Sequence, residues 1–141
     1  MTKHIGIVAC SAEGAALCYR TICVEAAQYL GEHAHPEITM HCHPLSDYMV
    51  HIKQDNWEQV AQLMLSSAHK VAQTGARFAI CPDNTVHQAF EWVAGKSPIP
   101  WLHIARVVAR TANDLGFNRL GILGTQYLME GPVYTETFKR V

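Results

Sequence analysis

Short apolar runs recur along this chain, and each gives way to a segment with helical spacing. His4–Cys10 (HIGIVAC), Ile38–His43 (ITMHCH), Arg77–Cys81 (RFAIC) and Arg119–Leu123 (RLGIL) are five to seven residues long. Runs of that length, rich in strand formers, read as buried strands. Ala15–Leu30 has helical character and is closed by Gly31. Asp55 reads as an N-cap with Glu58 three residues later, the capping-box spacing. Val60, Leu63, Met64, Ala68 and Val71 then recur on one helical face up to Gly75. Ile104–Leu115 reads as a further helix stopped by Gly116. Pro44–Lys53 is a loop or short helix, a helix starts near Asn84 or Thr85, and Met129–Val141 begins as a helix. Ser97–His103 holds two prolines around a short extended piece. Alternating strands and helices imply an α/β fold, a parallel sheet joined by right-handed crossovers with helices on both faces.

In such sheets a ligand sits at the carboxyl ends of the strands. The loops there start at Cys10, His43, Cys81 and Leu123, and their polar content is Ser11, Glu13, Asp83, Asn84, Thr85 and Thr125. The richest is Cys81-Pro82-Asp83-Asn84-Thr85-Val86-His87. A strand ends and a helix begins there, so unpaired amides can hold a carboxylate or phosphate. Asn84 and Thr85 add side-chain hydrogen bonds, and Asp83 could serve as a base. The competing reading is a plain N-cap cluster, since Asp, Asn and Thr are favoured at helix starts. Gly124-Thr125 is a second candidate cradle, or an ordinary turn.

His33, His35, His41 and His43 cluster in sequence, and His41 and His43 share one side of a strand. Imidazoles at that spacing can bind zinc. Cys42 faces away, however, and no CxxC or HxxxH completes a ligand set, so no metal site is expected. His87 and His103 are expected to make capping or backbone hydrogen bonds, and Met40, Met49, Met64 and Met129 to fill the core. Neither GxGxxG nor GxxxxGK[ST] is present, which disfavours a nucleotide cofactor. The turn at Ser11 lacks the GxSxG elbow of a hydrolase.

The 141 residues suit one domain or slightly less than two small ones, and 49% are hydrophobic, enough for a core. A net charge of −1 argues against nucleic acid or an acidic membrane as partner. Nothing reads as a signal peptide or a membrane span. The expectation is a cytoplasmic protein whose five cysteines (Cys10, Cys18, Cys23, Cys42 and Cys81) are free thiols.

Several stretches resemble the aspartate/glutamate racemase family, the amino-acid racemases that work without pyridoxal phosphate. They are HIGIVACSAEG…YR, HPLSDY…W, GARFAICPDNTVH, SPIPWLHIA and RLGILGTQYLMEGPVY, in order along essentially the whole chain. The resemblance implies two similar α/β domains: a racemase-like, flavodoxin/Rossmann-like first domain over 1–115, and an incomplete second one over 116–141. It implies no cofactor, an acidic amino acid as substrate and a homodimer. It also implies two acid/base residues, usually cysteines, on opposite faces of the substrate. Asn84 and Thr85 match the family's substrate-binding Asn-Thr, Thr125 the threonine that helps hold the carboxylate, and Ser11 a polar position of the first loop. Asp83 occupies the first catalytic position, where the family usually has cysteine. A carboxylate there needs its surroundings to strengthen it as a base. The second catalytic cysteine, normally in a Gly-Cys-Thr-Glu-like motif, has no match in this sequence. The alternatives are a racemase-like domain that binds a small carboxylate without turning it over, or a related isomerase or decarboxylase.

Overall fold

A computed structural model describes residues 2–139. Four parallel strands form one sheet in the order β2-β1-β3-β4: β1 Ile5–Ala9, β2 Ile38–Cys42, β3 Phe78–Ile80 and β4 Trp101–Leu102. Ile5 sits opposite both Ile38 and Phe78, which makes β1 a central strand, and all five of its residues are buried. That explains why it reads as a continuous apolar run. Side chains alternate across the sheet. Val8, Cys10, Ala79 and Cys81 pack with helices α2 (Leu45–Ile52) and α3 (Trp57–Gln73) on one face. Ile5, Ile7 and Ala9 pack with Ala15 of α1 (Ala12–Leu30) on the other. The expected α/β class, with helices on both faces, is the observed one.

Helix α3 shows why the sequence folds this way. Val60, Met64, Ala68 and Val71 are fully buried at i, i+4, i+8 and i+11 and make one stripe against the sheet. Each large side chain so buried contributes about 1.5–3 kcal/mol before entropy is counted. Gly75, with φ of 99°, ends the helix in a conformation that a Cβ disfavours. The chain then enters β3, where the Arg77 amide donates to the His4 carbonyl at 2.9 Å.

Several boundaries differ from the sequence expectation. The fourth strand is Trp101–Leu102, not Arg119–Leu123. The prolines extend the chain, the Ala79 amide donates to Pro100 O at 2.8 Å, and Trp101 Nε1 donates to Ser97 Oγ at 2.7 Å. Residues 119–123 have strand-like composition but no strand beside them among the described residues, and Leu123 is 91% exposed. Composition cannot supply the partner that a strand's amides require. Asp55 is not the N-cap of α3. It takes φ of 54°, and Asn56 caps the helix by accepting from the Gln59 amide at 3.3 Å. Ser11 caps α1, which starts at Ala12, and Pro44–Lys53 is mostly the helix α2. Thr85–Ala89 forms a 3-10 turn leading into α4 (Phe90–Ala94). After α5 (Ile104–Asp114) come two short helices, α6 (Gln126–Glu130) and α7 (Pro132–Phe138). The end of the helix expected from Met129 lies outside the described residues. Met64 is core, but Met40 and Met129 are about half exposed.

Replacing Asn56 with alanine should cost about 1 kcal/mol, the usual value of an N-cap. Glu58→Ala should stay within about 0.5 kcal/mol. Urea unfolding of both variants tests this assignment against the capping box read from sequence.

Candidate functional site

The carboxyl ends of β1 and β3 open onto a cleft of about 350 Å³. Its polar lining is Ser11, Asp83, Asn84, Thr85 and Thr125. The structure therefore brings together five of the six polar loop residues singled out in the sequence, from three loops far apart in the chain; Glu13 does not line the cleft. The lining also includes apolar side chains, Leu45, Met49 and Ile52 on α2 and Leu123 and Leu128 near α6. A larger cavity of about 450 Å³ lies against α5 and α7. No acidic, basic or thiol side chain lines it; another, of about 370 Å³, is lined by Glu91, His103, Arg106 and Glu136 but by none of Ser11, Asp83, Asn84, Thr85 and Thr125.

Asp83 has an unexpected attachment. Its Oδ2 accepts from the backbone amides of Cys10 at 3.2 Å and Ser11 at 3.1 Å. These amides sit at the start of α1, a 19-residue helix whose partial positive end complements a carboxylate. Asp83 thus serves a helix that begins more than seventy residues before it, not the turn that follows it. No donor among the described residues takes its Oδ1. Gly14 permits the approach: a Cβ there would lie 2.9 Å from Pro82 O and 3.6 Å from Asp83 Oδ1.

The other polar residues differ in how far they are committed. Ser11 Oγ accepts from the Gly14 amide at 3.2 Å as the N-cap of α1. Asn84 Oδ1 accepts from the hydroxyl of Tyr134 on α7 at 2.6 Å, which leaves its amide N–H groups as donors. Asn84 makes no side-chain cap of its own turn, so the plain N-cap reading does not account for it. Thr125 precedes α6 without capping it through its side chain. Tyr134, Gly14 and the α2 side chains escaped the sequence reading. Only the α2 side chains left a signal there, the spacing of Leu45, Met49 and Ile52 on one helical face.

His87 and His103 hold the polar loop from behind. His87 is buried, its Nδ1 lies 2.8 Å from Asp83 O, and its Nε2 accepts from the Ile104 amide at 3.4 Å. One donor and one acceptor fit the neutral ring. Burial, and next the neighbouring His103, push His87 down to about 4. His103 caps α5 by accepting from the Arg106 amide at 3.4 Å, and burial, then Arg106, push it down to about 4. The two rings are 4.7 Å apart.

All five cysteines are free. Burial, with Asp83 and Cys42 adding, pushes Cys10 up to about 12. Burial first, then Asp83, raises Cys81 well above the ordinary thiol value, and it lies in the core behind the cleft. Neither is a thiolate near neutral pH. His41 and His43 do lie side by side, with ring centroids 4.7 Å apart. They bond instead to Ser67, Lys70 and Ser66 of α3, at 2.9, 3.0 and 3.1 Å. Burial and Lys70 lower both. His33 pairs with Glu32, and His35 Nδ1 lies 2.8 Å from Pro36 O, so neither joins them. Among the described residues no group of three or more His, Cys, Asp or Glu side chains is placed to hold a metal ion, and no helix is long and apolar enough to cross a membrane.

The parallel α/β sheet places this polar cleft at its carboxyl edge, where sheets of this kind take ligands. The chain belongs to the Asp/Glu/hydantoin racemase family, whose model it matches over residues 5–141. Its fold is similar to that of a candidate Asp/Glu racemase from Yersinia pestis, with TM-score 0.86 and 26% identity over 94% of this chain and 58% of that one. It is also similar to an aspartate racemase homologue from Pyrococcus horikoshii OT3, with TM-score 0.83 and 22% identity over 99% of this chain and 61% of that one. The chain thus spans less than two thirds of the length of either protein.

Two outcomes follow from this geometry. Asp83→Ala strips two amides of their acceptor and should cost about 1–3 kcal/mol in urea unfolding. The second concerns acid. A folded-state value near 4 for His87 against about 6.5 unfolded means that the unfolded chain binds more protons between those limits. The stabilisation is complete above about pH 6.5 and is lost as pH falls toward 4, by about 3 kcal/mol. Urea midpoints should drop over that window, and less steeply in His87→Gln.

Proposed function

We propose that this chain carries one half of a cofactor-independent racemase site, in which Asp83 exchanges a proton with Cα of an α-amino acid. The observation that carries the reading is the convergence of Ser11, Asp83, Asn84, Thr85 and Thr125 on one cleft, in a chain of the racemase family. Removing the Cα proton builds negative charge next to the substrate carboxylate, and pre-placed donors must stabilise it. Asn84 offers amide N–H groups, and Thr85 and Thr125 offer hydroxyls. Cys10, Asp83 and Tyr127 are the groups lining the cleft that could carry a proton. Cys10, pushed up to about 12, keeps its proton near neutral pH. Asp83 is the carboxylate among them, with Oδ2 anchored and Oδ1 available.

Inversion requires a second acid on the opposite face of the substrate. The reading assigns it to polypeptide that faces the cleft from elsewhere, either the remainder of the second domain that the resemblance starts at 116 or a partner copy in a homodimer. In this scheme Asp83 moves one proton between Cα and Oδ1, the second group moves the other, and Tyr134 keeps Asn84 turned toward the substrate.

The test is deuterium uptake at Cα. Each enantiomer of a panel of amino acids is incubated with the chain in D₂O and followed by proton NMR. Loss of the Cα–H signal that disappears in Asp83→Asn, with that variant still folded by its melting curve, supports the proposal. Binding without exchange sinks it and leaves a domain that holds a carboxylate.

A further inference from the structure

The cavity of about 370 Å³ between α4, α5 and α7 presents charge of both signs. Glu91, His103, Arg106 and Glu136 line it, with Pro132 and Val133 as apolar surface. Among the described residues, none that lines it also lines the cleft at the strand ends. His103 is only 9% exposed. Its Nδ1 accepts from the Arg106 amide at 3.4 Å, so the neutral ring carries its proton on Nε2. That N–H has no acceptor among the described residues, and a donor left without one in so buried a ring is costly. The Arg106 guanidinium lies over the Phe90 ring at 5.5 Å, which holds it against α4. One of its nitrogens is 3.6 Å from Glu91 Oε1. An exposed pair of that length holds weakly, and the other guanidinium donors have no partner among the described residues. Glu136 Oε1 accepts from Lys139 Nζ at 3.0 Å, while its Oε2 has no partner among the described residues.

We infer that this groove is a second ligand site, which binds an α-amino acid as a zwitterion, its carboxylate on the Arg106 guanidinium and the His103 Nε2–H and its ammonium on Glu91 and Glu136. The charges present decide between ligand classes. A simple anion could take the two donors, but it would share the groove with two carboxylates of its own sign. A simple amine would meet the carboxylates and leave the His103 N–H without an acceptor. A ligand with both charges one carbon apart answers both sets. A guanidinium and a carboxylate also match in the two-bond geometry that makes such pairs strong. The site stands apart from the cleft, and it holds whether or not Asp83 moves a proton. Its place in the fold is still close to that loop. The His103 ring meets the His87 ring edge-on at 4.7 Å, and His87 Nδ1 lies 2.8 Å from the Asp83 carbonyl oxygen.

Titration of the full 141-residue chain with alanine, each enantiomer separately, provides the test. It is followed by proton NMR at the His103 ring, whose signal is assigned by its loss in His103→Gln. Propionate and ethylamine, each lacking one of the two charges, are the controls. At least one enantiomer should shift the His103 signal saturably. Propionate and ethylamine should bind at least about ten-fold more weakly, the loss of one contact to a charged group. Arg106→Gln and Glu136→Gln should each weaken alanine by about ten-fold. Thr125→Ala, which changes the cleft and not the groove, should leave the curve as it is. Glu136 is 53% exposed, so Glu136→Gln keeps the fold even where Arg106→Gln does not, and melting curves check both. No saturable shift up to about 50 mM, above the millimolar range of a small exposed site, overturns the inference. So does propionate or ethylamine that binds as tightly as alanine, because then one charge suffices. Alanine binding that survives Glu136→Gln unchanged overturns it as well. A curve lost in Thr125→Ala also does so, since it would place the ligand in the cleft.

Discussion

The carboxylate of Asp83 resting on the Cys10 and Ser11 amides, just ahead of α1, ties the candidate site together. Two bonds, at 3.2 and 3.1 Å, join the loop after β3 to the loop after β1, so two strand ends are held at one distance. That distance fixes where Ser11 stands relative to Asn84 and Thr85. A charged acceptor makes each bond stronger than a neutral pair would, and the aligned dipole of a 19-residue helix acts in the same sense. The approach is steric as well as electrostatic, because Gly14 lets the first turn of α1 lie against Pro82 O. A larger residue would separate the loops whatever the charge of residue 83.

Behind this tie stands a second layer that supplies rigidity rather than chemistry. His87 reaches the Asp83 carbonyl with one nitrogen and the Ile104 amide with the other. Its ring thereby couples the loop to the start of α5. Phe90 stacks on that ring and His103 meets it edge-on, Trp101 and His103 pack edge-on against Phe90, and the Arg106 guanidinium lies over Phe90 at 5.5 Å. The motif that spells Asn-Thr-x-His thus has two functions in four residues. The first two present donors to the cleft, and the fourth anchors the backbone. A buried histidine in this position is neutral by necessity, since charging it would strand a cation in the core.

What could be read beforehand followed the range of each interaction. Strand β1 and helix α3 were plain, because their apolar spacing records which face is buried within one short stretch. The carboxyl-edge location followed from topology, and it brought Ser11, Asp83, Asn84 and Thr85 into one neighbourhood; Thr125 lines the same cleft although the strand expected to carry it there does not form, and Glu13 does not line it. Where the outcome depended on a distant partner, the sequence misled. Arg119–Leu123 has strand composition and no strand to pair with, whereas Trp101–Leu102 is short and proline-flanked yet pairs with Ala79 and Ile80. Asp55 has the spacing of a cap, but its positive φ passes that role to Asn56. The bond of Asp83 to α1 spans 72 residues, and no local pattern encodes it.

The same tie sets a limit on the chemistry. On the proposed racemase reading, a carboxylate that both anchors a loop and moves a proton does so with its two oxygens dividing the work. Oδ2 holds the amides, and Oδ1 is the atom that can meet a substrate. Cysteine has a single sulfur and could not do both, so replacing the family's usual residue with aspartate alters the architecture as well as the basicity. It places a carboxylate with two unlike oxygens, one held by the Cys10 and Ser11 amides and one taken by no donor among the described residues, at the carboxyl ends of β1 and β3.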